Sequence, residues 1–168
     1  NPSGEIVEQF SEIFKTAVHR RLISDVKVGA FLSGGLDSSS IVSQMSGDFA
    51  AFTIDFESSS NTLDRDRSIL VAKKFGIEHH VTLVSKESLE DFAKLIRELD
   101  EPISDQSMIG LHYNYAVAKD HDCRVILSGD GADEILGGYG YFRQLLYVNR
   151  HLESLRAVAP LLKLSQRC

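Results

Sequence analysis

The sequence has no run of about 18 apolar residues and no signal-peptide pattern, so no membrane span is expected. It also lacks low-complexity tracts and internal repeats, which excludes a disordered or solenoid chain and leaves a folded one. Cysteine is scarce. Cys123 and Cys168 lie far apart with no CxxC spacing, so neither a disulfide framework nor a zinc ribbon is expected, and a reducing, cytoplasmic compartment fits. Cys123 reads as a packed residue at the start of a strand. Basic residues are outnumbered: 18 Lys and Arg against 24 Asp and Glu give a net charge of −6. That balance argues against a nucleic-acid backbone binder. An initiating methionine is missing too, and the 168 residues from Asn1 to Cys168 read as about one domain, a piece of a longer protein.

The residues present alternate between two periods. Ile6, Phe10, Ile13, Phe14, Ala17, Val18 and Leu22 recur at helical spacing and predict a helix over 4–23. Val28 to Leu32, Ala50 to Phe56, Glu78 to Val84 and Arg124 to Leu127 read as strands. Helices are expected over 38–46, up to a C-cap at Gly76, from Leu89 to Leu99 ahead of Pro102, over 108–119, and over 141–164 with a break near Pro160. Ser58 to Asn61 reads as a polar loop. Strands alternating with helices predict an α/β fold with a parallel sheet flanked by helices. The loops that follow its strands should share one ligand-binding edge.

The first such loop is Ser33-Gly34-Gly35-Leu36-Asp37-Ser38. Glycines allow a sharp turn and a close approach, and the free N–H groups of the following helix attract an anion. The lysine of a Walker A loop is absent. Asp37 would repel a phosphate unless it held a Mg²⁺ ion bridging phosphate oxygens. A tight turn with Asp37 or Ser38 as an ordinary N-cap is the plainer alternative. The whole string SGGLDSS after an apolar strand resembles the signature of the PP-loop ATP pyrophosphatases, which cleave ATP between the α- and β-phosphates.

The second loop, Ser128-Gly129-Asp130-Gly131-Ala132-Asp133-Glu134, crowds three carboxylates into five residues, and such crowding calls for a cation. Continued through Ile135-Leu136-Gly137-Gly138-Tyr139, it resembles the SGEGADELFGGY segment of the asparagine synthetase family. Asp100-Glu101-Pro102 with Asp105 resembles that family's DEP…D stretch, and His79-His80 its strand-borne histidine pair. For the histidines, strand packing or a satisfied polar pair is the stronger reading. The resemblance covers about residues 5–145 and implies a Rossmann-like, HUP-type PP-loop domain.

It further implies ATP-dependent amide synthesis. A carboxylate, aspartate in the family, is adenylated with release of pyrophosphate, and ammonia from a glutamine-hydrolysing domain attacks the acyl carbon. By motif match, Ser33, Gly34, Gly35, Asp37 and Ser38 would hold pyrophosphate. Phe31, Leu32 and Ile54 would line the nucleoside site, with ordinary strand core as an equal alternative. Ser128 and Gly129 would touch nucleotide or substrate. Asp37 and Asp133 would share Mg²⁺, and Asp130 and Asp133 would be the catalytic carboxylates. Asp130 stands where many members have glutamate. The family's glutaminase cysteine and an intermediate-binding lysine are expected outside these residues. Another amidotransferase or cyclase of the same family, or a nucleotide-binding module without catalysis, remains an open alternative, and an apolar face on the last helix would favour a homodimer.

Overall fold

The computed structural model describes residues 2–57, 62–85, 88, 90–101 and 107–165. The expected polar loop at 58–61, and Leu89, Pro102, Asp105 and Cys168, lie outside the described residues. Two compact units divide the chain, one up to Gly129 and one from Asp130 onward.

The first unit is built on four parallel strands: β1 (Lys27–Phe31), β2 (Ala50–Phe56), β3 (Glu78–Val84) and β4 (Cys123–Leu127). Their order across the sheet is β3-β2-β1-β4. β2 and β3 pair along their full length, from Ala50↔Glu78 to Phe56↔Val84, and β4 lies beside β1 from Lys27↔Cys123 to Ala30↔Leu127. Short apolar runs bury β1 and β2 at the centre of the sheet, as central parallel strands require, while β3 and β4 at its edges are largely half-buried or exposed.

Helices cover the two faces. On one face, α1 (Pro2–Arg21), α2 (Leu36–Gln44) and α3 (Leu63–Phe75) close over a core of Val18, Val28, Ala30, Leu32, Val42 and Ala72. Phe14 and Leu22 extend the apolar stripe of α1 onto this core, while Ile6, Val7, Phe10 and Ile13 stay exposed. α4 (Glu90–Glu98) follows β3. On the other face, α5 (Ser107–Asp120) packs against β2, β3 and β4, with Phe52, Ala118 and Cys123 buried at its contact. Cys123 is thus a packed thiol at the first position of β4, and burial pushes its pKa up, which makes it inert. Phe52 is fully buried; a side chain of that kind contributes roughly 1.5–3 kcal/mol by leaving water.

The two faces follow from the path of the chain. From β1 it steps to β2 and then β3 in one direction, which puts α2 and α3 on one side if each crossover is right-handed. It then returns past β1 to place β4, and α5 falls on the other side. The direction reverses between β1 and β4, and open α/β sheets bind ligands outside the carboxyl ends of their strands at such a reversal. α3 stops at Gly76, whose φ of 65° is the left-handed C-cap conformation.

The second unit holds a short helix, α6 (Ala132–Leu136), and a long one, α7 (Gly140–Ser165). The expected break near Pro160 does not occur: α7 runs through it. A proline removes one backbone donor and crowds the preceding turn, which can be absorbed as a local distortion without ending the helix.

Candidate functional site

β1 ends at Phe31, and Leu32 to Gly35 make the turn into α2. Leu32 anchors the turn. Its side chain is 1% exposed, its N–H donates to the Phe52 carbonyl at 2.9 Å, and its carbonyl accepts from the Thr53 hydroxyl. The next residues bond to one another. The Ser33 N–H donates to Ser38 Oγ at 3.2 Å, the two serine hydroxyls lie 3.0 Å apart, and the Gly35 N–H donates to Ser33 Oγ at 3.3 Å. Gly34 has a φ of +75°, and a Cβ there would come within 2.6–2.7 Å of Arg67 Cβ, the Asp64 carbonyl and the Ser68 nitrogen. The turn is therefore pressed onto the first turns of α3, and only glycine fits.

Gly35 is the N-cap of α2, and no side chain caps the helix. Its first-turn N–H groups lack intrahelical acceptors, as at any helix start. Asp37 stands in this turn, half-buried, and Ser39 Oγ is buried with no hydrogen-bond partner. A glycine cradle, uncapped N–H groups and an orphaned hydroxyl together fit the oxygens of a phosphate.

Ser128 and Gly129 reach the same place from β4. A Cβ on Gly129 would stand 3.1 Å from both Asp37 Cβ and the Ser38 nitrogen, so the second loop's backbone lies directly against the amino end of α2. Ser128 and Gly129 thus meet the first loop beyond the carboxyl ends of β1 and β4. Phe31 turns toward α5, edge-on to Tyr115 at 4.8 Å, and Ile54 faces Gly110 of the same helix.

Asp130 and Asp133 belong to the second unit. Gly131, at φ 86°, starts α6, and Asp133 and Glu134 fill its first turn. The Asp133 carboxylate lies over Gly138, whose N–H donates to the Asp133 carbonyl at 3.0 Å; any side chain on Gly138 would collide with that carboxylate. Glu134 accepts a hydrogen bond from the Tyr139 hydroxyl at 2.9 Å. That bond, with some desolvation and the nearby negative charges, pushes the Tyr139 phenol up to about 12.

The histidine pair is engaged within the sheet. His79 Nε2 is 2.7 Å from the Thr53 hydroxyl, and His80 Nε2 is 2.8 Å from Glu78 Oε1. Burial, then the neighbouring His80, lowers the His79 pKa. Sequence reasoning missed one feature of the ligand edge. Asp55, near the carboxyl end of β2, is 9% exposed and pairs with Arg65 of α3 at 3.2 Å, while accepting from the Phe56 N–H at 2.9 Å. An acid inside the apolar run AAFTIDF was the available signal.

The asparagine synthase family model matches residues 9–167. Asparagine synthetase [glutamine-hydrolyzing] 1 of Bacillus subtilis is 34% identical over 146 residues, which cover 84% of this chain and 23% of that protein. The chain thus spans about a quarter of the length of the curated relatives it matches. Among solved structures, the NH3-dependent NAD synthetase from Campylobacter jejuni superposes with a TM-score of 0.52 at 16% identity, over 79% of this chain and 60% of that one. A U34-tRNA thiolase from Methanococcus maripaludis gives 0.53 at 19% identity, over 75% and 47%. The fold is the parallel α/β, HUP-type domain of the PP-loop enzymes, as the sequence resemblance implied.

Proposed function

The chain belongs to the asparagine synthase family, and from that premise we propose that it is the ATP-binding part of an ATP-dependent, amide-forming ligase that adenylates the side-chain carboxylate of aspartate. The observation that carries this reading is the contact of Gly129 with Asp37 and Ser38 at the reversal point of the sheet. It supports a single anion site assembled from two loops far apart in sequence.

In this reading Ser33, Gly34, Gly35 and Ser38 hold the β- and γ-phosphates through the free N–H groups of α2 and the serine hydroxyls. Phe31, Leu32 and Ile54 belong to the nucleoside side, and Leu32, whose side chain is core, acts by shaping the backbone there. Ser128 and Gly129 border the α-phosphate and the acceptor carboxylate. The acceptor oxygen bonds to the α-phosphorus, the bond to the bridging oxygen breaks, and pyrophosphate leaves with the electron pair. Donors fixed before the reaction favour that departing charge. Asp37 and Asp133 would hold Mg²⁺, which when bound neutralises the pyrophosphate oxygens. Ammonia then bonds to the acyl carbon and AMP leaves. Asp130 accepts the proton that the amine sheds, with Asp133 beside it in the same loop. In this reading the ammonia comes from a glutaminase domain, and the setting is cytoplasmic.

The test is ATP–pyrophosphate exchange in the full-length protein with aspartate, with Mg²⁺ and with EDTA in its place. Exchange that needs both Mg²⁺ and aspartate is the expected result. Exchange that ignores aspartate would reject the acceptor, and ATP binding of equal strength in EDTA would reject the metal.

A further inference from the structure

At the amino end of the sheet, away from both loops, three side chains that the proposed reaction does not use come together. Glu78 opens β3, and His80, two residues on, shares its face of the strand. His121 stands in the turn between α5 and β4. The His80 and His121 rings are 3.7 Å apart, centre to centre, at 31°. Glu78 Oε1 is 2.8 Å from His80 Nε2, and one ligand-type atom from each of the three residues lies within 4.8 Å of the others.

The cluster is braced from beneath and open above. Fully buried Phe52 stacks on His80 at 5.5 Å and meets His121 at 5.9 Å, while Glu78 is exposed. Two imidazoles and a carboxylate are a common donor set for a divalent ion. Ligand atoms at about 2.0–2.2 Å from one ion lie roughly 3–4 Å from each other, within reach of side-chain rotation here.

We propose that Glu78, His80 and His121 form a binding site for a divalent transition-metal ion of the zinc type. Two nitrogen donors favour zinc, cobalt or nickel over magnesium, so the site is chemically separate from the one assigned to Asp37 and Asp133. A metal there ties the edge strand β3 to the turn that launches β4. Three protein ligands leave a coordination position for water or an outside group.

The test uses the tag-free, chelator-stripped full-length protein, titrated with Zn²⁺ or Co²⁺ alone by calorimetry and visible absorption. One equivalent should bind, with the intense absorption of four-coordinate cobalt, and the melting temperature should rise as metal is added. His80→Gln and His121→Gln should each weaken binding by at least about 10-fold. Glu78→Gln, at an exposed position, should do the same with folding preserved, and it decides the matter if a histidine variant misfolds. His79→Gln, which leaves all three ligands in place, should bind metal as wild type does. A folded wild type that takes up no metal, or Zn²⁺ binding of equal strength in all three ligand variants, overturns the proposal.

Discussion

Gly34→Ala asks one residue to do two things it cannot do. An L side chain is disfavoured at a φ of +75°, and the added methyl meets the backbone of α3. The variant should lose about 2–4 kcal/mol of stability in denaturant titration. Asp37 is different, because its side chain stands half-buried in the first turn of an uncapped helix. Asp37→Asn and Asp133→Asn in the full-length protein should each lower exchange by on the order of 10²-fold, with folding nearly unchanged. Together they should cost less than the product of the single effects, because both act on one ion. Early melting of either variant would reassign that residue to the fold. Ser33 and Ser38 were legible as site candidates because a short string of small residues after a strand has few other uses. The Asp55–Arg65 pair was not legible, because its partners belong to different elements and only the fold brings them together.

Among the elements, the parallel pairing of β2 with β3 carries a pH-sensitive link. His79 has a pKa below its ordinary 6.5 through burial first, and its bond to Thr53 joins the two strands. A depressed folded-state pKa means stability that is full above 6.5 and lost as pH falls through the lower folded value. Urea titrations below pH 6.5 should show a smaller acid loss in His79→Gln than in wild type. Around α6 the sign is opposite. The Tyr139 phenol is raised from 10 to about 12 by its bond to Glu134, so that bond persists through pH 10 and is lost only as pH climbs through 12. The tyrosinate difference spectrum between wild type and Tyr139→Phe should report this, and Glu134→Gln should bring the titration back toward 10. β1, β2 and β4 were readable as short, mainly apolar runs between turn residues, and β3 as a β-branched stretch after the Gly76 cap. β2 and β3 fall where the residues place them. α6 was hidden because five residues in a glycine-rich acidic string are too few to display a period.

For the whole molecule, the reversal of strand order could be expected only in outline. Alternating elements imply a parallel sheet, but no local signal says on which side of β1 the last strand docks. That choice is made by long-range packing of α5 over Phe52 and Cys123. It decides that Gly129 becomes a neighbour of the first glycine-rich loop. The 168-residue chain, about a quarter of its relatives' length, is expected to bind Mg-ATP without completing amide synthesis. Incubation with ATP, Mg²⁺, aspartate and ammonium, followed for pyrophosphate and asparagine, checks this. Asparagine formed at about 1 per second or faster would show that these residues suffice.

The place of β4 beside β1 also sets the order of events during synthesis. β1, β2 and β3 can pair as they emerge, each with a strand made shortly before. β1 must wait for Cys123–Leu127 to complete its other side, and Gly129 must follow before the two loops can touch. Joining segments so distant costs loop entropy before any contact repays it, and parallel pairing of this kind is slow. Until then the flank of β1 is an unpaired edge, open to wrong partners. A nascent chain stalled before β4 should therefore be able to form its first helices and strands, yet have no place to bind a nucleotide.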